Sequence, residues 1–534
     1  MRPRPWRDHL PPGSSIDTPD LTARGSLPTA WAGVWGAHAD RPLLYDAGAG
    51  PDARWVSAAR FEEQTRRAAA RFAELGLEAG DRVVWSMGSS LAAAVVNIGA
   101  LRAGLVVVPA NRLYTERELG HIVADVRPAA AVVDDPPRAR WIEDASASAV
   151  PVLGPDLQVL RGVVPVDAAR AAAVDAAPGD APALIAYTSG TTGAPKGAVL
   201  THANVLANSE SVSLTWRWQP EDRLVHALPI FHGHGLCVAL YTSLLVGASV
   251  VLLPSFDVDG VLDASDAHGA TLFFGVPTMY HRIAASGRAG ELSRLRLAVS
   301  GSAPLAAELH GALERDAGTR VLERYGMTET LMTLSNPYDG ERRAGTVGFP
   351  FPGVDAWIGE EPPPDAAVAR EPAGTGVDAG TDAGTDAAEI LVRGPTVFAG
   401  YWERPAASAE RFAGSGWLRT GDMGSVDADG YVAIRGRRTD MVISGGYNVY
   451  PAEVEDALLA HPAVREVAVT GTPSDEWGEV VTAWVVADGP APPAGDLLAF
   501  AAARLAPYKR PHQVHFVDAL PRNAMGKIVR GALG

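Results

Sequence analysis

The stretch that most constrains this chain is Tyr187 to Gly197, YTSGTTGAPKG, which follows directly on the apolar run Ala183 to Ala186. Eleven residues hold three glycines, four Ser/Thr hydroxyls and one lysine. Glycines let backbone N–H groups approach an anion, hydroxyls donate further hydrogen bonds, and Lys196 adds positive charge, so the loop suits phosphate oxygens. It reads as a nucleotide loop leaving a strand. The Walker pattern fails, because Gly190 is followed five residues later by Pro195, and Lys196 is followed by Gly197. An ordinary P-loop NTPase is therefore disfavoured, as is a flexible Ser/Gly linker, which would not place Pro-Lys-Gly between two apolar runs.

At 534 residues and 47% hydrophobic content the chain exceeds one core, and two or more domains are expected. Its formal charge of -16 argues against broad nucleic-acid or anionic-membrane binding, so an anionic ligand needs a local site. The single cysteine, Cys237, excludes an intrachain disulfide and a cysteine metal cluster. The N-terminal MRPRPWRDHLPPGSS has no apolar core after its arginines and reads as a disordered lead-in, not a secretory signal. Leu236 to Leu253 carries no charge over eighteen residues. Gly247 divides it into a buried helix and a buried strand, which is preferred to a membrane span. A cytoplasmic protein is expected.

From about Leu27 to Pro182 helix-like and strand-like segments alternate, among them Phe61 to Leu75, Arg82 to Trp85, Leu91 to Ala103 and Leu105 to Pro109. Asn204 to Leu214 then reads as helix, and Arg223 to Leu228, Leu272 to Gly275, Leu295 to Val299 and Val321 to Tyr325 as strands. Such alternation implies parallel sheets covered by helices. Residues 362–388 hold almost no large apolar side chain and read as a disordered surface insertion. The last hundred residues have their own alternation, enough for a small α+β domain. The expected layout is a lead-in over 1–26, a large domain over 27–437, a hinge at 438–440 and a small domain over 441–534.

Three further motifs carry chemistry. In YGMTET, Glu329 is a hard oxygen ligand suited to Mg2+ bridging phosphates, and the Thr328 hydroxyl can reach a phosphate oxygen. In RTGDMG, Asp422 sits in an expected turn and could accept both ribose hydroxyls; a lone turn aspartate would otherwise form an Asx-turn. PRNAMGKIVR puts Lys527 in a Gly-containing turn, ordinarily a solvated charge. Taken in this order, YTSGTTGAPKG, ERYGMTET, TGD, SGGYNVYP and PRNAMGK resemble the adenylate-forming superfamily of acyl-CoA synthetases, adenylation domains and firefly-type luciferases, over roughly Trp31 to Arg530.

The resemblance implies a large N-terminal domain of parallel-sheet α/β layers and a small mobile α+β C-terminal domain. It implies two half-reactions. A carboxylate attacks the α-phosphate of MgATP, giving acyl-AMP and pyrophosphate, and a thiol such as coenzyme A then displaces AMP. Residue by residue, Lys527 would contact the carboxylate and α-phosphate, and Glu329 with Thr188 would bind Mg2+. Thr188, Ser189, Gly190, Thr191, Thr192, Gly193 and Lys196 would hold the β and γ phosphates, and Asp422 with Arg437 the ribose. Gly301, Ser302, Ala303, Pro304 and Tyr325 would flank adenine, with Gly326, Met327 and Thr328 completing the nucleotide contact. Gly445, Gly446 and Tyr447 would line the pantetheine tunnel after the small domain rotates. GRRTD offers Thr439 where many members carry Asp or Lys, which leaves the pivot residue open.

LPIFHGHGL, VPTMYHRI, VSGSAPL, ERYGMTETLM and NPYDGERRAGTVG look like malonyl-CoA and methylmalonyl-CoA synthetases. A dicarboxylic acid leaves a second carboxylate in the pocket that must be paired. Arg282 is the first candidate, since its planar fork binds a carboxylate through two hydrogen bonds, and Arg343 the second. For Arg282 the competing reading is a helix-surface salt bridge. His232 and His234 could pair on a metal by composition, but no third ligand is suggested, so His232 reads as pocket wall, with Met332 and Ser302 beside the acyl group. A ligase for another carboxylic acid, a stand-alone adenylation enzyme loading a separate carrier protein and a luciferase-type oxygenase are the alternatives. The chain ends seven residues after Lys527, which leaves no fused carrier to expect.

Overall fold

The computed structural model describes residues 4–11, 13, 20–147, 149–162, 173–188, 195–360, 362, 387–444, 447–474, 477–505, 507–523 and 527–533. Ser189 to Gly193, Gly445, Gly446 and nearly all of the 362–388 insertion lie outside these residues.

Two large α/β sheets form the N-terminal part. The first has nine strands, with a parallel core running Leu322–Met327, Leu297–Ser300, Leu272–Gly275, Arg223–His226, Ser249–Leu252 and Pro42–Asp46. Leu272–Gly275, Leu297–Ser300 and Ser249–Leu252 are buried throughout, as strands covered on both faces must be. The second sheet has eight strands, and its parallel core Pro182–Thr188, Val106–Pro109, Arg82–Ser86 and Ala130–Val133 is extended by the antiparallel Lys196–Thr201 and Gly400–Tyr401. Helices Ala58–Glu74 and Leu91–Arg102 pack on each other between the alternating strands. The sequence expectations for these elements differ from the structure by a few residues at their ends.

An antiparallel four-stranded sheet follows, ordered Asp355–Ile358, Ala388–Arg393, Leu418–Val426, Val432–Arg437. The expected turn at RTGDMG is instead the middle of the strand Leu418–Val426. Gly421 at φ 76 and a register shift between Met423 and Gly424 bend that strand, which sequence pattern alone reads as a turn. The C-terminal domain pairs a five-stranded sheet with helices Pro451–Leu459 and Ala494–Ala502 around its own core of Val442, Val454, Leu458, Val469, Val481 and Leu497.

The lead-in expectation needs correction. Residues 4–11 pack against the body: Arg4 N–H donates to the Gly430 carbonyl at 2.9 Å, and His9 is buried on Phe349 with ring centroids 4.1 Å apart. These anchors are single residues without periodicity, so hydropathy patterning does not register them. Leu236 to Leu253 forms a π-helical turn, His234–Tyr241, running into the helix Thr242–Val246, then the strand Ser249–Leu252. Among the described residues no helix is long and apolar enough to cross a membrane.

Candidate active site

Thr188 and Lys196 face each other where the strand Pro182–Thr188 turns back into Lys196–Thr201, so they form the base of the glycine-rich loop. Thr201 ends that strand and caps the next helix, its hydroxyl accepting from Asn204 N–H at 3.1 Å while the Asn204 side-chain Oδ1 accepts from Thr201 N–H at 2.9 Å. The Asn204 amide also donates to the carbonyls of Pro395 and Val397, which fixes the segment leading to Tyr401. Tyr401 then joins two of the expected residues. Its hydroxyl donates to the buried Glu329 carboxylate at 2.7 Å, and its ring lies 5.4 Å from the Lys196 ammonium.

Glu329 has no ion-pair partner among the described residues, and Tyr401 satisfies one oxygen only. A buried carboxylate in that state fits a divalent cation. No group of three or more His, Cys, Asp or Glu residues among those described could hold a metal by itself. The donor set therefore suits Mg2+ that arrives on nucleotide phosphates and takes one protein carboxylate.

A second cluster forms where strands from two sheets meet. Tyr325 donates to Asp422 Oδ2 at 2.5 Å, and Arg437 Nε lies 3.3 Å from Asp422 Oδ1. Asp422 and Arg437 are direct partners across their antiparallel strands, which fixes the pair. Burial first, and then the Asp422 charge, pushes the Tyr325 hydroxyl above its usual range, so it stays a donor. Lys527, from the C-terminal domain, lies within electrostatic reach of Arg437, Asp422, Asp440 and Arg530. Desolvation and then Arg437 hold its ammonium below the ordinary lysine range, against Asp422 and Asp440.

The third cluster belongs to the strand Leu322–Met327, whose alternation puts Glu323 and Tyr325 on one face and Arg324 and Gly326 on the other. Arg324 is 4% exposed, and its Nε and Nη2 find no acceptor. Gly301 is what admits it, because a Cβ there would overlap the guanidinium. His234 is buried near Arg324, its Nδ1 lies 3.4 Å from Ser302 Oγ, and its Nε2 has no partner. Ser302 holds a left-handed backbone at φ 71, a strained conformation for a residue with a Cβ. Met332 closes this group, since a side chain at Gly326 would run into its methyl. Burial, reinforced by Arg324, pushes His232 down to about 4 and His234 in the same direction, so both imidazoles are neutral at pH 7.

Neither arginine expected at the acyl pocket lies in this group. Arg282 is exposed on the helix Pro277–Ala285, with its guanidinium 5.1 Å from the Phe256 ring centre. Arg343 is saturated by Glu341, Asp427 and Asp429 and stacks on Tyr431 at 4.3 Å. Its position in a loop facing a distant acidic turn is a tertiary effect that the motif does not reveal. Sequence reasoning passed over Arg324 and Tyr401. A charge inside the strand-like run ERYG was the available signal for Arg324; AGYW gave none for Tyr401. Gly301, Ala303 and Pro304 follow the strand Leu297–Ser300 beside this group, as a ligand-facing loop should.

A glycine-rich loop without a Walker lysine, a lone buried carboxylate and an Asp–Arg–Tyr cluster reached by a second domain's lysine together define a nucleotide-dependent enzyme of two unequal domains. The chain belongs to the AMP-binding enzyme family, which it matches over residues 33–402, with the family's C-terminal domain over residues 453–527. It is 37% identical to a feruloyl-CoA synthase of Amycolatopsis sp over 89% of this chain and 92% of that protein. It is 36% identical to the mitochondrial malonate–CoA ligase of Mus musculus over 85% of this chain and 82% of that protein. ATP-bound MatB from Rhodopseudomonas palustris superposes with a TM-score of 0.83 at 39% identity, over 95% of this chain and 98% of that one.

Proposed function

We propose that this chain is a cytoplasmic acid–thiol ligase that activates malonate or methylmalonate with MgATP to an acyl-adenylate, then passes the acyl group to coenzyme A and releases AMP. The observation that carries the dicarboxylate reading is Arg324. A buried guanidinium with two unsatisfied donors is costly until an anion pairs with it, and a second substrate carboxylate supplies that anion. A fully apolar acid would leave Arg324 bare. The likeness to a malonate–CoA ligase and to MatB supports the same reading.

In the first half-reaction the free carboxylate oxygen attacks the α-phosphorus, and the bond to pyrophosphate breaks. Both partners are anions, so the work of the protein is alignment and charge neutralisation. Mg2+, when bound at Glu329, neutralises phosphate charge there. Lys196, held on Tyr401, serves the departing pyrophosphate, while Lys527 serves the α-phosphate and the attacking carboxylate. Asp422 and Arg437 fix the ribose. In the second half-reaction the small domain turns about 438–440, withdraws Lys527 and presents Gly445, Gly446 and Tyr447 to the pantetheine arm.

The test is AMP formation dependent on ATP and CoA with malonate, methylmalonate, acetate, octanoate and ferulate. A preference for malonate and methylmalonate is expected; a preference for the monocarboxylates would sink the dicarboxylate reading. The feruloyl-CoA synthase relative favours an aryl acid as the second reading, for which ferulate turnover is the deciding arm. Omitting CoA and adding a carrier protein separates the ligase from a carrier-loading enzyme.

A further inference from the structure

The helix Glu116–Val126 stands beside the glycine-rich loop and belongs to none of the three clusters of the site. A capping box starts it: the Thr115 hydroxyl accepts from Glu118 N–H, and the Glu118 carboxylate accepts from Thr115 N–H at 2.8 Å. Leu119, Ile122, Val123 and Val126 bury one face in the core shared with Val108, Val133 and Ile185, so the helix is seated on the sheet that carries the loop. His121 and Asp125, four residues apart, share a neighbouring stripe. His121 Nε2 lies 3.1 Å from the Pro195 carbonyl oxygen. A carbonyl only accepts, so that nitrogen carries a proton and donates it. Asp125 Oδ2 accepts from the Tyr187 hydroxyl at 2.6 Å. Tyr187 stands one residue before Thr188 and Pro195 one before Lys196, so a single helix holds both roots of the loop. Gly197 makes room for the Tyr187 ring to cross the hairpin, because a Cβ there would come within 3.2 Å of that ring and 2.5 Å of Ile185 Cγ2.

The same carboxylate reaches a second element. Asp125 Oδ1 accepts from Arg404 Nη2 at 2.5 Å, Arg127 at the end of the helix pairs with Glu403, and Trp402 N–H donates to the Gly197 carbonyl at 2.7 Å. Exposed ion pairs of this kind add little to stability; what they fix here is relative position. The segment they fix is the one on which Tyr401 holds Glu329 and lies against Lys196.

We infer that His121 and Asp125 are positioning residues for the pyrophosphate step, setting Thr188 and Lys196 at a defined place relative to Tyr401 and Glu329. The inference rests on the reading that Thr188 and Lys196 hold the β and γ phosphates. Each residue acts through the group it holds and not on the reacting atoms. Without His121 the Pro195 carbonyl loses its anchor on the helix, and without the Asp125 carboxylate the Tyr187 hydroxyl and Arg404 lose their shared acceptor. Misplacing a reacting group by about 1 Å costs about a hundredfold in rate, so anchors set back from the chemistry still govern it.

The experiment measures pyrophosphate exchange and CoA-thioester formation by the full chain, with whichever acid of the panel above turns over. His121→Leu should raise the KM for pyrophosphate and for MgATP by about three- to tenfold, the scale of one hydrogen bond, and leave those for the acid and CoA within about twofold. His121→Gln, whose amide can donate to the same carbonyl, should return both raised values to within about twofold of wild type. Asp125→Asn, which removes the charge and one of the two acceptor oxygens, should move the same two constants in the same direction. An unchanged pyrophosphate KM in His121→Leu, or equal changes in all four constants, overturns the inference, and so does a His121→Gln no better than His121→Leu. Lys196→Ala separates the inference from the reading beneath it. A raised pyrophosphate KM in Lys196→Ala beside an unchanged one in His121→Leu overturns the positioning role alone. An unchanged one in Lys196→Ala overturns the loop reading and the inference with it. If His121→Leu does not fold, His121→Ser, too short to reach Pro195, decides on the same constants.

Discussion

The two lysines of the site have separate neighbours, and this fixes what each can do. Lys196 is exposed at the mouth of the glycine-rich loop and sits on the Tyr401 ring, whose hydroxyl holds Glu329. Lys527 is exposed and lies within electrostatic reach of Asp422 and Arg437 instead. Lys527→Ala should therefore lower the adenylation rate by about a hundredfold or more, the scale of removing one donor from a developing charge, and Lys196→Ala by less. Pyrophosphate exchange with each variant checks the order, and a larger loss for Lys196→Ala would reverse the assignment. Tyr401 carries a second prediction. Tyr401→Phe keeps the ring under Lys196 and removes the hydrogen bond to a buried carboxylate, a change of about 1–3 kcal/mol. The KM for MgATP should rise by about fivefold or more with little change in thermal midpoint, and an unchanged KM would mean that Tyr401 is only packing.

At the scale of elements, the hairpin Leu418–Val426 and Val432–Arg437 carries both residues proposed to hold the ribose, and its turn is held from outside. Arg343 pairs with Asp427 and Asp429, and Arg4 N–H donates to Gly430. The N-terminal strap that supplies Arg4 also buries His9 and Leu10 and accepts a hydrogen bond from Arg217 at the His9 carbonyl, 2.6 Å. Removing residues 1–11 should lower the first thermal transition by about 2–4 °C and raise the KM for ATP more than that for the acid. Calorimetry and a two-substrate kinetic matrix read this, and equal changes in both KM values would deny the strap any positioning role. The same elements show what the sequence could carry. The parallel strands and their helices were legible because burial on both faces writes continuous apolar runs such as Ala183 to Ala186 and Leu272 to Gly275. Lys527, Glu329 and Asp422 could be singled out as candidates because their motifs are local, and the structure puts Asp422 against Tyr325 and Arg437 and buries Glu329 on Tyr401. Arg324 was not assigned because its value comes from what surrounds it: Gly301, His232 and His234 lie far off in sequence. The strap was hidden for the same reason, since each anchor finds its pocket in a different sheet.

The whole molecule carries an unusual load of buried titratable groups, and their signs set its response to pH. His9 is pushed down to about 3, and His202, His226 and His232 each to about 4, by burial in every case. These histidines bind fewer protons folded than unfolded between about 4 and the ordinary value of 6.5. Their contribution is complete above 6.5 and is lost as pH falls through the folded values. Three carboxyls act in the opposite sense: burial raises Glu210 against the pull of Arg24, and raises two others further. Burial pushes Glu323 from 4.5 up to about 8, and pushes Asp456, on the first helix of the small domain, from 3.8 up to about 6. Asp456 adds to the rise of Glu323 across the domain boundary. Both bind more protons folded than unfolded, so stability falls as pH rises from their ordinary values to their folded ones. Below 6.5 these histidines, joined by His234, His268 and His310, outnumber the raised carboxyls and dominate; above it Glu323 is the main group still titrating. The thermal midpoint should thus fall steeply as pH drops from 6.5 towards 4, and decline gently from 6.5 to 8. Glu323→Gln should flatten the upper limb and steepen the lower one, because the amide cannot ionise anywhere between 4.5 and 8 and can still accept from Leu305 N–H. Calorimetry across this range reads both limbs, and an upper limb unchanged by Glu323→Gln would show that Glu323 ionises freely in the fold.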